Sequence, residues 1–228
     1  MAGYKWCRSL SFNCLTSATS LGIVSRVLKR KPLLSARHKR RRLQFARDHV
    51  GWTAEDWRNV IITDEVPIYL VQTQQRRYHR VRKGSRPTHY QPRLVAGGGS
   101  VMAWGAVTAN GTLGLVRIRG GLRAAQYIEI LTDNILPIIG DCHLQQDNAP
   151  CHMARTVRHF FQDNNLQVLE WPPCSPDLNI IENLWSMLKS ELDREVIHGF
   201  DQLFQRANDI FLNFGNDIIN NLFDSLPN

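Results

Sequence analysis

Three acidic residues stand where carboxylates could do chemistry. Asp64 follows the β-branched run of "RNVIITDEV", and Asp147 ends the alternating stretch "HLQQD". Glu182 lies in "SPDLNIIENLWSMLKSEL", on or beside the apolar stripe of the helix that this spacing predicts. A carboxylate beside an apolar stripe is costly unless a cation pairs with it. These positions make the three acids candidates for one shared site.

Two predicted strands ending at Asp64 and Asp147 could lie side by side, with the helix of Glu182 packed across them. Three converging carboxylates repel one another until a cation neutralises them, and hard oxygen ligands favour Mg²⁺ or Mn²⁺. Two such ions about 4 Å apart support phosphodiester displacement. Taken singly, Asp64 could be a turn residue, Glu65 could be the inward acid instead, and Asp177 is a helix cap.

The elements that must position these acids follow from periodicity. Val60, Ile62 and Asp64 share one face of a strand that Pro67 interrupts, and Asn110-Gly111 predicts a hairpin. Further along, the pattern predicts a helix over 124–139, a strand over 143–147, a helix over 151–164, a strand over 166–171, one helix over 175–192 capped by Ser175, and two amphipathic C-terminal helices. Hairpin strands followed by βαβ units predict an α/β fold, a mixed sheet flanked by helices.

Charge is divided unequally along the chain. Residues 1–47 contain 12 Lys and Arg and no acid, whereas residues 129–228 contain 5 basic and 15 acidic residues. A basic part of this kind suggests a polyanion partner, and phosphate contacts made by such side chains are strong, salt-dependent and indifferent to sequence. Two basic runs supply the expected DNA-binding residues, which are Arg37, Lys39, Arg40, Arg41, Arg42, Arg76, Arg77, Arg80, Arg82 and Lys83.

Length and composition narrow the class of protein. The 228 residues, 43% hydrophobic and 21% charged, suit one main domain at 51–228 preceded by a basic extension and linker helix at 1–50. No apolar run approaches the roughly 20 residues of a membrane span. Five cysteines at irregular spacing favour free thiols in a reducing compartment, and none of their spacings fits a zinc site.

Several stretches together resemble one family, the mariner superfamily of cut-and-paste DNA transposases in its nematode-type branch. The matching stretches run from about residue 22 to the C-terminus and include "QQDNAPCH" and "SPDLNIIENLW", whose order along the chain is highly specific. By motif, the acidic triad of the family maps onto Asp64 in "TDE", Asp147 in "QDN" and Glu182 in "IEN". The last two are separated by 34 residues, the spacing expected for this branch.

The resemblance implies an RNase H-like fold, two Mg²⁺ (or Mn²⁺) ions held by Asp64, Asp147 and Glu182, cleavage at element ends and strand transfer into TA target sites. It implies DNA as the partner, is compatible with a homodimer, and gives no role to a membrane or a small-molecule substrate. In a DNA-handling chain, the run "RHKRRR" favours nuclear localisation.

The chain also departs from the family pattern. The helix-turn-helix head that reads terminal repeats is represented only by residues 21–35, so we expect cleavage and strand transfer without specific terminal-repeat recognition. Val66-Pro67-Ile68 replaces the usual residues after the first acid, and Ile180 replaces a proline. The alternative is a non-catalytic nuclear DNA-binding protein descended from a transposase, or a relic reading frame.

Overall fold

The computed structural model describes residues 33–70 and 99–227. The helices of these parts are α1 (Ala36–Asp48), α2 (Ala54–Arg58), α3 (Ala124–Asn134), α4 (Arg155–Asp163), α5 (Ile181–Leu192), α6 (Phe200–Leu212) and α7 (Asn216–Asp224), with a 3₁₀ turn at Pro176–Leu178. The strands are β1 (Val60–Tyr69), β2 (Ser100–Thr108), β3 (Gly111–Thr112), β4 (Val116–Ile118), β5 (His143–Gln145) and β6 (Gln167–Val168).

These strands form one mixed sheet in the order β3-β2-β1-β5-β6, and β4 also pairs with β2. β1 is antiparallel to β2 and parallel to β5, which in turn is parallel to β6. Hairpin strands therefore form one half of the sheet and crossover strands the other. The predicted mixed sheet flanked by helices is confirmed.

Alternation along β1 divides the core between the two faces of the sheet. Val60 and Ile62 belong to the cluster that includes α5, α6 and α7, whereas Ile61 belongs to the cluster that includes α3 and α4. The predicted period of two is confirmed, and it turns Asp64 toward α5. No helix in the described parts of the chain is long and apolar enough to cross a membrane.

β1 does not stop at Pro67, as the sequence had suggested. The strand continues to Tyr69, and Pro67 is paired with Met102 of β2. β5 pairs only with residues 60–62 of β1, so among the described residues the second half of β1 has β2 as its strand neighbour and no strand on the other side. A proline is tolerated at an edge without a neighbouring strand because no ladder hydrogen bond is lost there.

The predicted helix over 175–192 is also wrong in its first part. Pro176–Leu178 forms a 3₁₀ turn, Asn179 is extended, and α5 begins at Ile181. Ser175 makes no capping hydrogen bond to this turn. Instead the Asn179 Oδ1 accepts a hydrogen bond from the Ile181 N–H at 3.3 Å. The break lets the chain turn just before the helix that carries Glu182.

Other boundaries shift by a few residues. The hairpin at Asn110-Gly111 is confirmed, with its returning strand divided into β3 and β4. α3 ends at Asn134 rather than at 139, ahead of Pro137, because a proline disfavours helical geometry in the residue before it. β5 ends at Gln145, two residues before Asp147. The predicted helix over 151–164 begins only at Arg155, after a turn.

Helix α1 packs against the rest of the domain through one aromatic ring and one cation. Phe45 is buried, with its ring edge-on to Trp171 at 5.2 Å between centroids. Arg42 donates to both carboxylate oxygens of Asp177, at 2.8 and 2.6 Å, and to the Ser175 Oγ at 2.7 Å. Helix α1 thus belongs to the same compact unit as the residues that follow it, and the predicted domain boundary at residue 50 stays a prediction.

Gly105 of β2 stands opposite Asp64 and leaves room for an indole ring. A Cβ at this position would lie 2.7 Å from the Trp185 Cη2 and 3.2 Å from the Phe211 Cζ. Real Cβ contacts are never so short, so Trp185 would have to move. The absence of a side chain at Gly105 thus lets α5 approach the sheet beside Asp64.

We expect Gly105→Ala to lower the free energy of unfolding by about 1–3 kcal/mol, because overpacking displaces a buried indole. Chemical denaturation measures the change. Gly51→Ala is the matched control, since no atom lies within 4 Å of its added Cβ, and it should change stability by less than about 0.5 kcal/mol. Equal effects of the two substitutions would contradict the packing described for Trp185.

Candidate active site

Asp64 and Asp147 lie side by side because of the register between β1 and β5. Ile62 pairs with Gln145 in this parallel ladder, so Asp64 follows two residues later within β1 and Asp147 follows two residues beyond the end of β5. Beyond the last pair, Gln145 makes two hydrogen bonds with Thr63. Its Oε1 accepts a hydrogen bond from the Thr63 N–H at 3.2 Å, and its backbone carbonyl accepts one from the Thr63 Oγ1 at 2.8 Å. Asp64 itself lies within β1 and not at its end, because β1 continues along β2.

Glu182 is in the first turn of α5, the helix that packs over Asp64. The indole Nε1–H of Trp185 donates to the Asp64 Oδ2 at 3.0 Å. Glu182 and Trp185 are three residues apart and therefore share a helix face. One hydrogen bond thus holds the helix of the third acid against the strand of the first.

The three acids line one cavity of about 450 Å³. Its other walls come from the loop after β5 and the loop before α5, and they consist of Asn148, Ala149, Trp171, Pro172, Pro173, Cys174, Ser175, Pro176 and Asn179. The predicted convergence of Asp64, Asp147 and Glu182 is present in the structure. Their catalytic roles stay a prediction.

Burial raises the pKa values of two of the acids. Burial, followed by the charges of Glu182 and Glu65, raises the pKa of Asp64 to about 7, although the Trp185 hydrogen bond works in the other direction. Burial also raises the pKa of Glu182, against the opposing charge of Lys189. Burial thus disfavours the ionised forms of both carboxyls.

Asp147 has the opposite electrostatics. The hydrogen bond from His152 lowers the pKa of Asp147 despite partial burial, with help from the Ala149 N–H. Burial disfavours the charged form of His152, but its contacts with Asp147 and Glu65 outweigh that effect and raise its pKa to about 10. His152 is therefore an imidazolium at neutral pH, and Asp147 is ionised.

The donor set fits a hard divalent cation. Carboxylate oxygens are the ligands that Mg²⁺ and Mn²⁺ prefer, and a cation would relieve the repulsion that raises the pKa of Asp64. As the side chains stand, no group of three or more His, Cys, Asp or Glu residues in the described ranges could hold a metal ion. The side chains of the three acids would therefore have to adjust to share one.

The predicted DNA-binding residues of α1 divide into two kinds. Arg37, Lys39, Arg40 and Arg41 are exposed, whereas Arg42 is half-buried in its contact with Asp177. A second cavity, of about 640 Å³, is lined by Arg41 and also by Asp147, so the basic helix borders the acidic site. Arg76, Arg77, Arg80, Arg82 and Lys83 lie outside the described residues.

The partners of the acids were not predicted from the sequence. Trp185 and His152 received no role, and Glu65 was considered only as an alternative to Asp64. A weak signal existed for two of them, since Trp185 follows Glu182 by three residues and His152 follows Asp147 by five. The contact of Glu65 with His152 joins distant parts of the chain and has no local signal.

A family match and the sequences of similar proteins both assign the chain to a family of transposases. The family described as DDE superfamily endonuclease matches residues 59–203. The transposase of transposable element Tc1 from Caenorhabditis elegans is 32% identical over 213 residues, which cover 90% of this chain and 78% of that protein. The Tcb1 transposase of Caenorhabditis briggsae is 30% identical over the same shares.

Solved structures with similar folds are those of Mos1 transposase. The Mos1 paired-end complex with left transposon end superposes with a TM-score of 0.78 at 19% identity, covering 93% of this chain and 66% of that one. The isolated catalytic domain of Mos1 gives a TM-score of 0.66 at 16% identity, covering 87% of this chain and 93% of the domain. This likeness confirms the RNase H-like fold implied by the sequence motifs. Because the family match spans the three acids and the identity extends over nine-tenths of the chain, the protein belongs to the DDE superfamily endonucleases, among the transposases of Tc1 type.

Proposed function

We propose that this chain cleaves DNA phosphodiester bonds, and joins the freed ends to a target, with the help of bound divalent metal ions. One observation carries the proposal: carboxylates from β1, from the loop after β5 and from α5 line one cavity beside a cationic helix. DNA transposition by a DDE nuclease is the function of the family. Mos1 paired-end complexes are known with Mn and with Mg, which supports the use of such an ion here.

Asp64, Asp147 and Glu182 would hold the metal, and two ions suit the reaction. Bound in this way, the metal would supply an activated water or 3′-hydroxyl and would neutralise charge on the leaving oxygen. The chain contributes positioning. Trp185 holds one oxygen of Asp64, the Ala149 N–H and His152 hold one oxygen of Asp147, and α5 brings Glu182 to the same cavity.

The exposed basic side chains of α1 would hold the DNA backbone next to the acids. Arg41 reaches the cavity that Asp147 also lines, so a phosphate held by α1 would be within reach of the site. Such contacts carry no sequence information. We further propose that the protein works in the nucleus and that two copies act together on DNA.

Purified protein should nick supercoiled plasmid in Mn²⁺ or Mg²⁺, and Asp64→Asn, Asp147→Asn and Glu182→Gln should each abolish nicking, because each removes a charged metal ligand. Gel electrophoresis of the plasmid measures the result. Glu129→Gln, an exposed charge on α3, is the matched control and should nick like the parent. A folded parent that binds DNA but never nicks it would favour the non-catalytic alternative.

Metal-free protein should lose stability as pH rises from about 4 to 8. The pKa of Asp64 is about 7 in the folded protein and about 3.8 in the unfolded chain, so the folded protein binds this proton more tightly. That stabilisation is complete below pH 4 and is lost as pH passes through 7. Asp64→Asn cannot ionise, so its unfolding temperature should exceed that of the parent increasingly toward pH 8.

Thermal unfolding at several pH values checks this expectation. Adding Mg²⁺ at pH 8 should raise the unfolding temperature of the parent, because a ligand that binds the folded state stabilises it, and should leave Asp64→Asn nearly unchanged. Parallel pH curves for parent and variant would show that Asp64 titrates normally and would contradict the electrostatics described for the site.

Neutralising Arg40 or Arg41 with glutamine should weaken DNA binding and lower the slope of log affinity against log salt by about 1 each. Arg42→Gln should instead lower the unfolding temperature, because Arg42 already pairs with Asp177. Fluorescence anisotropy at several salt concentrations measures binding. Arg194→Gln, just beyond the far end of α5, is the control for net charge and should leave the slope unchanged. Equal slopes for the parent, Arg40→Gln, Arg41→Gln and Arg194→Gln would contradict phosphate binding by Arg40 and Arg41.

A further inference from the structure

His152 is buried between two carboxylates that belong to different elements. Its Nδ1 lies 2.8 Å from the Asp147 Oδ1, and its Nε2 lies 3.3 Å from the Glu65 Oε1. Only 2% of the residue is exposed. The contact of Nδ1 with Asp147 is a hydrogen bond, whereas Nε2 and the Glu65 Oε1 lie at ion-pair distance without hydrogen-bond geometry.

The ring of His152 is also fixed from the side. The Tyr127 ring lies against it with 4.1 Å between centroids, and the Tyr127 hydroxyl donates to the Gln146 Oε1 at 2.5 Å. Tyr127 is fully buried in α3, so it cannot follow a displaced neighbour. The imidazole is therefore held in one orientation by a ring on its face and a carboxylate at each nitrogen.

Glu65 anchors this arrangement to the strand of the first acid. It is next to Asp64 on β1 and points to the other face of the sheet, toward α3 and α4, since successive side chains of a strand alternate. Its side chain is 16% exposed. A polar group so buried is costly without a polar neighbour, and the His152 Nε2 lies 3.3 Å from its Oε1. The Glu65–His152 pair therefore links β1 to the loop that carries Asp147.

The two oxygens of Asp147 are used differently. Its Oδ1 accepts from the Ala149 N–H at 2.8 Å and from His152. Its Oδ2 accepts no hydrogen bond from the residues that the structure describes, and the side chain is 53% exposed in the cavity shared with Asp64 and Glu182. The loop after β5 has little sheet pairing of its own to orient this side chain, because β5 ends at Gln145.

We propose that His152, held by Glu65, is a positioning residue that turns Asp147 so that Oδ1 stays with the protein and Oδ2 is presented to the divalent cation. The inference rests on the proposed function, in which Asp147 is a metal ligand. It deepens that function by naming the residues that orient the ligand. Partners of this kind alter metal affinity by about 10–100-fold when they are removed from metal sites.

Two amide substitutions separate positioning from packing. In His152→Asn the amide nitrogen takes the place of Nδ1 and can still donate to Asp147, whereas in His152→Gln it takes the place of Nε2 and can reach only Glu65. Both variants lose the ring and one contact, so a role in packing alone predicts similar effects. Thermal unfolding without metal measures how much stability each of the two variants loses relative to the parent.

Mn²⁺ binding to the full chain, measured by titration calorimetry without DNA, is the readout. We expect His152→Gln to bind Mn²⁺ about 10–100-fold more weakly than the parent, and His152→Asn to recover most of that loss. Equal weakening in the two variants, or none in either, overturns the inference. If His152→Gln does not fold, Glu65→Ala replaces it, and an affinity less than about tenfold below that of the parent overturns the inference.

The parent protein separates this inference from the proposed function. A folded parent that binds no Mn²⁺ overturns the metal-dependent function and the role of His152 together. A parent that binds Mn²⁺, with both His152 variants unchanged, overturns only the role of His152. Binding that is lost in Asp147→Asn and in His152→Gln but retained in His152→Asn supports both.

Discussion

The parallel pairing of β1 with β5 is the constraint on which the candidate active site depends. Three residue pairs set the register, and the side chain and carbonyl of Gln145 carry the contact on to Thr63. Asp64 and Asp147 then follow at the same level on neighbouring segments. A slip of one residue would turn a side chain to the opposite face of the sheet, so this short ladder decides whether two acids meet at all.

The third acid depends on how closely a helix can approach the sheet. Gly105 has no side chain opposite Asp64, and the indole of Trp185 occupies the space left there. The same indole is buried and needs a partner for its N–H, which Asp64 provides. The contact between Trp185 and Asp64 therefore both packs α5 against the sheet and gives the indole N–H its hydrogen-bond partner. Glu182 reaches the cavity because it shares a helix face with Trp185.

Charge is arranged so that the acids differ before any metal binds. His152 contacts Asp147 and Glu65 from the α3 side of the sheet and lowers the pKa of Asp147, whereas burial raises the pKa values of Asp64 and Glu182. In the proposed function, a bound divalent cation would favour the ionised forms of these two carboxyls. The exposed basic side chains of α1 add positive charge beside the acids. Arg42 of the same helix is hydrogen-bonded to Ser175 and Asp177 in the loop before α5.

Sequence alone determined the features that arise from local pattern. These are the burial alternation of β1, the hairpin, the separation of charge and, through motifs, the three acids. Tertiary structure decided the rest, because it depends on residues distant in the chain. Pro67 is tolerated inside β1 since β5 has already ended, and Ser175 accepts a hydrogen bond from Arg42, 133 positions away, instead of capping a helix. The contact of His152 with Glu65 could not be read from spacing, because the sheet and α3 must assemble before a buried cation and a buried carboxylate can meet.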